Sequence, residues 1–328
     1  MKLIVDIYGA DSGPVPILKG IAKAMAELPE LQIVFVGEEA LIRQALAPWS
    51  FEEGRYTILD TKEFVGIEDE PSSVFSGRER TSMVMALRHL KENEDCFALL
   101  SPGNTGALLV GSVVHLGTLP GVKVPALCSA LPCSGRDQLC LVDCGANVDC
   151  RPKDLARFAL MGSTFIRCLR GIESPRVGLM SVGREDCKGN AQTREAFGLL
   201  KELPLNFIGN LEGCDMVTDV ADVIVADGFV GNVLLKNTES VGLSAVALID
   251  EELRTTGEEA RPALLRVREE LCGRYELNTR GGATFLGPRK TVIKMHGCAT
   301  EETSYACVMQ AFRLEKAGFI SALEEALK

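Results

Sequence analysis

Short apolar runs alternate along the chain with longer stretches whose apolar residues recur at helical spacing. The short runs predict strands at Leu3–Asp6, Leu31–Val36, Tyr56–Leu59, Cys96–Leu100, Ala126–Leu131, Leu139–Asp143, Arg176–Ser181, Leu205–Ile208, Val223–Ala226 and Val292–Met295. Most are continuously apolar rather than alternating. That marks strands covered on both faces, as in a parallel sheet. The longer stretches predict helices at Pro14–Leu28, Ser82–Asn93, Asp154–Leu169, Ala191–Leu203, Val230–Leu253 and Glu302–Ala326. This rhythm predicts a three-layer α/β sandwich with a largely parallel sheet. No linker or repeat divides the chain, so one domain spanning 1–328 is expected. The polar stretch "TTGEEAR" at Thr255–Arg261 separates two helical segments and predicts a helical projection at about 244–276.

Composition narrows the class without changing the fold. Of the 328 residues, 46% are hydrophobic and 24% charged, as in an ordinary globular protein. A net charge of −10 offers no basic surface for a nucleic-acid backbone, so nucleic acid is not expected as a partner. Met1-Lys2 leads directly into "LIVD", a run too short for a signal h-region, and no stretch approaches the roughly 20 apolar residues that cross a bilayer. A cytoplasmic protein is therefore expected. The 12 cysteines form no CxxC pair, and Cys140 and Cys144 flank the apolar run "LVD". Cysteine in such a strand behaves as a small hydrophobe, so reduced thiols are expected and no metal site.

Ligands of open α/β sheets bind beyond the carboxyl ends of strands. Six strand-to-helix turns are rich in Gly, Asn and Asp: "DIYGADSGP" (6–14), "SPGNTGAL" (101–108), "DCGANVD" (143–149), "SVGREDCKGN" (181–190), "DGFVGN" (227–232) and "KMHGCAT" (294–300). A parallel sheet would place them along one edge. In the second turn, Gly103 and Gly106 permit close backbone approach, while Asn104 and Thr105 add side-chain donors. Such a turn suits an anion, because the first N–H groups of a helix have no partners. Helix capping by Asn104 or Thr105 is the competing reading. In the fifth turn, Asp227 closes a strand, Gly228 and Gly231 follow, and Asn232 can donate to an oxyanion. Lys188 is a candidate phosphate cation, and His296, just before Gly297, is a candidate acid, base or donor. His89 and His115 read as structural.

Missing motifs exclude much. No G-x-G occurs, so the dinucleotide fingerprint is lacking, and there is neither a Walker A loop nor a G-x-S-x-G elbow. An α/β protein with anion-suited turns and no nucleotide signature points to free phosphate or an acyl-phosphate.

The same turns, in the same order, resemble the bacterial phosphate acyltransferase family, the PlsX-type acyl-acyl-carrier-protein:phosphate acyltransferases. "VDIYGADSGP", "GNTGAL", "DCGANVDCRP", "KGN", "NFIGNLEG", "ADVIVADGFVGNVLLK", "GGATFLG" and "VIKMHG" carry the resemblance over nearly the whole chain. Departures occur at Tyr8, Ala10 and Ser12 (family: Met, Gly, His), in the run Arg78-Glu79-Arg80-Thr81, and at Cys298-Ala299-Thr300. The resemblance implies a fold similar to isocitrate and isopropylmalate dehydrogenases and to phosphotransacetylase. It also implies attack of inorganic phosphate on a long-chain acyl-acyl carrier protein, giving acyl-phosphate for a glycerol-3-phosphate acyltransferase. A homodimer, peripheral membrane association and no cofactor are implied as well. Phosphate binding then falls to the 103–106 turn with Lys188. Carbonyl polarisation or leaving-thiol protonation falls to Asn232 and His296, with Asp227 and Asn147 in support and Gly228, Gly231 and Gly297 lining the substrate site. A decarboxylating NAD-dependent dehydrogenase and a non-catalytic lipid-synthesis scaffold are the alternatives.

Overall fold

The computed structural model of the protein describes residues 1–75, 77–133, 136–275 and 281–328. Eleven strands form one sheet: β1 (Lys2–Asp6), β2 (Gln32–Gly37), β3 (Tyr56–Asp60), β4 (Cys96–Ser101), β5 (Ala126–Cys133), β6 (Arg136–Val142), β7 (Arg176–Met180), β8 (Asn206–Leu211), β9 (Val223–Val225), β10 (Ala283–Leu286) and β11 (Thr291–Lys294). The helices are α1 (Pro14–Glu27), α2 (Glu39–Leu46), α3 (Ser82–Glu92), α4 (Thr105–Gly111), α5 (Pro152–Arg170), α6 (Ala191–Glu202), α7 (Gly228–Glu252), α8 (Arg261–Tyr275), α9 (Glu301–Lys316) and α10 (Phe319–Ala326).

Two apolar clusters cover the two faces of the sheet. Leu3 and Val5 join Ile17, Ile21, Phe158, Phe197, Val308 and Phe319, so α1, α5, α6, α9 and α10 share one face. Ile4 points the other way, with Met83, Leu87, Ala107 and Leu108 of α3 and α4. Burial of both faces explains why the strand sequences are continuously apolar.

The strand order is β3-β2-β1-β4-β11-β10-β5-β6-β9-β7-β8, and the sheet is largely parallel. The expectation of a single loop-bearing edge needs correction. Strand β10 pairs antiparallel with β11 and β5, and β5 pairs antiparallel with β6, so the two halves of the sheet run in opposite directions. Their registers join one row across the sheet: Val5, Leu100, Ile293, Thr284, Cys128, Val142, Val225 and Leu179. Strands β1, β4 and β11 end one residue past this row, and β6 and β9 end on it from the opposite side. Both sets of carboxyl ends therefore meet at one level in the middle of the sheet. The six Gly/Asn/Asp-rich turns approach that level from two sides.

Two further expectations change. Strand β10 was not among the expected strands. The single helix expected at Glu302–Ala326 is two, because Gly318 takes a left-handed conformation (φ 64°) between α9 and α10. Helices α7 and α8 lie against each other, joined by an ion pair between Arg268 and Asp250, and no residue of α8 is buried. Glu276, the last residue of the expected projection, lies outside the described residues. No helix among those described is long and apolar enough to cross a membrane.

Candidate active site

The central row of the sheet carries a cavity of about 370 Å³. It opens between the start of α4, the first turns of α7 and the end of β11. Thr105, Gly145, Asn232, Lys236, Lys294 and His296 are among its lining residues.

The turn after β4 is held from below. Ser101 donates from Oγ to Asp6 Oδ2 (2.8 Å) and accepts from the Gly103 amide (3.1 Å). Burial pushes the Asp6 carboxyl up to about 6, against the pull of its hydrogen bonds. Asn104 caps α4, its Oδ1 accepting from the Ala107 amide at 3.0 Å. Its Nδ2 donates to the carbonyls of Ile67 (2.8 Å) and Asp69 (3.2 Å), so the whole amide is committed to structure. The space beside Gly103 is filled by Met83, and that beside Gly106 by Pro71. Of the 103–106 turn, Thr105 lines the cavity.

The turn after β6 is organised by one carboxylate. Asp143 Oδ1 accepts from the amides of Leu127 (3.0 Å), Gly145 (3.1 Å) and Ala146 (3.0 Å). Its Oδ2 accepts from the Asn147 amide (2.7 Å) and from Asn147 Nδ2 (2.8 Å). The same Nδ2 donates to the Pro125 carbonyl at 2.7 Å, so Asn147 is a buttress of this turn. Helix α7 docks onto it with glycines. A Cβ on Gly231 would overlap the Asp143 carbonyl, and one on Gly228 would overlap the Asn147 backbone. Asp227 caps the helix, its Oδ1 accepting from the Val230 amide at 2.9 Å. This docking sets Asn232 beside Gly145 at the cavity wall, and its amide has no hydrogen-bond partner among the described residues.

The turn after β11 contributes two titratable groups. His296 Nδ1 accepts from the Cys298 amide at 3.2 Å, which leaves the ring proton on Nε2. The ring has an edge open to solvent, yet the protein around it desolvates it and lowers its pKa, so the neutral imidazole prevails. Lys294 closes strand β11 and lines the cavity floor, with Nζ donating to the carbonyls of Pro102 (2.9 Å) and Met295. Lys236 reaches the cavity from α7 in an ion pair with Glu239 (2.8 Å).

The structure thus brings Thr105, Asn232, His296 and Gly297 around one cavity. Lys188 stands apart from its lining. It is exposed on the turn after β7, its stem packed over Gly183. The adjoining Gly189 lines a second cavity of about 210 Å³, with Asp227, Val230, Leu155 and Met180. Lys294, Lys236 and Glu239 escaped the sequence reading. Lys294 did leave a signal: a cation at the end of the apolar strand "TVIK" is out of place in a core unless it serves a site.

Two of the departures from the family pattern meet in space. Ser12 donates to the Ala299 carbonyl (2.8 Å), and Cys298 Sγ donates to Asp11 (3.4 Å). They tie the turns after β1 and β11 together. The hydrogen bond to Asp11, aided by burial, raises the Cys298 pKa, and burial holds that of Cys144 well above the usual thiol range. Neither thiol beside the cavity is activated.

Comparison with known proteins places this arrangement. A phosphotransacetylase from Streptococcus pyogenes superposes with a TM-score of 0.64 at 16% identity, covering 96% of this chain and 94% of that one. A branched-chain phosphotransacylase from Enterococcus faecalis V583 gives 0.60 at 14% identity, covering 95% and 98%. The fold is therefore the one these phosphotransacylases share. At the level of sequence, the family model described as "Fatty acid synthesis protein" matches residues 1–322. A phosphate acyltransferase of Bacillus cytotoxicus is 38% identical over 312 residues, 94% of this chain and 93% of that protein. The chain belongs to the phosphate acyltransferase family, and it is an acyltransferase.

Proposed function

We propose that the protein transfers a long-chain acyl group from acyl-acyl carrier protein to inorganic phosphate. The oxygen of monohydrogen phosphate bonds to the thioester carbonyl carbon, the C–S bond breaks, and the phosphate proton ends on the sulfur. The products are acyl-phosphate and free carrier-protein thiol. Phosphate is already an anion, so the protein need supply no nucleophile of its own. Its tasks are to aim the phosphate, a contribution of roughly 7–11 kcal/mol in well-oriented reactions, and to stabilise the tetrahedral oxyanion.

One observation carries this reading: two neutral donors without partners face the same cavity, the Asn232 amide and the His296 Nε2–H. A neutral imidazole donates a hydrogen bond readily but is a poor proton source, so His296 is assigned carbonyl polarisation rather than thiol protonation. Phosphate is assigned to the start of α4, where Thr105 of the 103–106 turn lines the cavity; Lys188, exposed and outside that lining, is left out of the site. Asp227, Asn147, Gly228, Gly231 and Gly297 shape the turns around it. Hydroxylamine trapping tests the reaction. Acyl hydroxamate should appear only when enzyme, acyl-acyl carrier protein and phosphate are all present; free fatty acid in its place would refute the assignment.

The reading extends to the setting of the enzyme. It is cytoplasmic, its sandwich is of the isocitrate and isopropylmalate dehydrogenase kind, and it works as a homodimer at the membrane surface. Acyl-phosphate passes on to a glycerol-3-phosphate acyltransferase. Support for the membrane surface comes from the α7–α8 pair, where Leu243 and Leu248 are each 67% exposed and Leu265 and Val267 also face solvent. Glu258, Glu259, Glu269 and Glu270 nearly cancel Arg261, Arg266, Arg268 and Arg274, so attachment should rest on apolar contact and withstand salt. Leu264→Glu combined with Leu265→Glu is expected to abolish co-sedimentation with liposomes while turnover continues. Unfolding or loss of the dimer in this variant would make the stripe structural instead.

A further inference from the structure

Lys294 has an unusual position for an ammonium group. Two of its three N–H bonds go to backbone carbonyls, one of them Pro102, which leads into Gly103. No carboxylate forms an ion pair with it among the described residues. Asp6, at the end of β1 on the far side of β4, is occupied by the Ser101 hydroxyl (2.8 Å) and the Tyr8 amide (3.2 Å). Asp11 receives the Cys298 thiol, and Lys236 is paired with Glu239. Carbonyl dipoles alone leave a desolvated cation uncompensated, which is costly unless an anion joins it. The open side of the group is the cavity it lines.

We infer that Lys294 is the anion anchor of the cavity: its remaining N–H binds the phosphate nucleophile from the floor, while the bond to the Pro102 carbonyl pins the turn after β4 to the end of β11. This rests on the phosphate acyltransferase reading of the cavity, and it supplies the cation that Lys188, outside the lining, does not. The same contact could serve a phosphodiester on the acyl donor, and the kinetic constants separate the two sources.

Burial lowers the Lys294 pKa to about 8, against the pull of the Asp11 and Asp6 carboxylates, and Lys236 lowers it further. The anchor is charged below about 8 and loses its charge as the pH rises through that value, so phosphate binding must weaken on the alkaline side. Cys307, held protonated up to about 12, and Asp6, ionised above about 6, do not change over that interval.

The test measures steady-state KM for inorganic phosphate and for the acyl donor, with calorimetric binding of phosphate alone, on the full chain from about pH 7 to 9. Lys294→Gln is expected to raise the phosphate KM about 10- to 100-fold, as for loss of one charge-assisted hydrogen bond. The acyl-donor KM should move far less. The wild-type phosphate KM should climb through about pH 8. Lys294→Arg, whose guanidinium stays charged, should flatten that climb. A glutamine variant with wild-type phosphate KM, a rise confined to the acyl donor, or a flat wild-type profile would overturn the inference. Should the glutamine variant not fold, the wild-type profile and the arginine variant decide. Calorimetry decides even if no acyl-phosphate forms, an outcome that would count against the reaction and not against the anchor.

Discussion

Asn232→Ala is expected to lower kcat by about 100- to 1,000-fold, the usual cost of removing one preorganised oxyanion donor. Asn232 is placed by the docking of α7 onto the turn after β6, where Gly228 and Gly231 let the helix lie against the Asn147 and Asp143 backbone. Its amide has no structural employment, in contrast to Asn104, whose amide is committed at both its oxygen and its nitrogen, and to Asn147, whose Nδ2 makes two buttressing bonds. The alanine variant should therefore unfold at the wild-type denaturant midpoint and keep its substrate KM values within a few-fold. A large kcat loss accompanied by an equal loss of stability would instead make Asn232 part of the scaffold.

The second large effect is on stability. Asp143→Ala removes the acceptor for four backbone amides and one side-chain amide. Each donor stranded away from water costs about 1–3 kcal/mol, so a loss of at least about 3 kcal/mol is expected even after some donors find solvent. Asp143→Asn should fare little better, because Oδ2 faces only donors and an amide nitrogen there would confront them. Equilibrium unfolding in denaturant reads the effect. A loss below about 1 kcal/mol would show that the turn holds its shape by other means.

How much of this was legible in the sequence follows from what each signal encodes. Continuous apolar runs such as "CFALL" and "LIV" reported strands buried on both faces, and the two clusters behind Leu3 and Ile4 bear this out. Patterning reports burial, however, and not direction. Nothing in "ATFL" says that β10 runs against β11, so the meeting of two opposed sets of strand ends was hidden. The "GP" pair at Gly287-Pro288, just before β11, was the available turn signal. Likewise Gly318 marked the stop between α9 and α10. At the site, residue types were informative where a side chain was left unpaired, as with Asn232 and His296. They misled where capping and binding use the same residues: Asn104 serves the helix it begins. Lys294 was missed because an ammonium in a turn drew attention before one at the end of a buried strand.

The central claim is direct attack by phosphate, with no acyl-enzyme. Cys144 and Cys298, the thiols beside the cavity, are held protonated by burial and by Asp11 respectively, which supports it. Rapid-quench release of carrier-protein thiol in a single turnover tests it most directly. Enzyme in excess over acyl-acyl carrier protein should release no thiol until phosphate is added, and then release it in step with acyl-phosphate. A stoichiometric burst of thiol before phosphate, with the acyl mass found on the protein, would contradict the account.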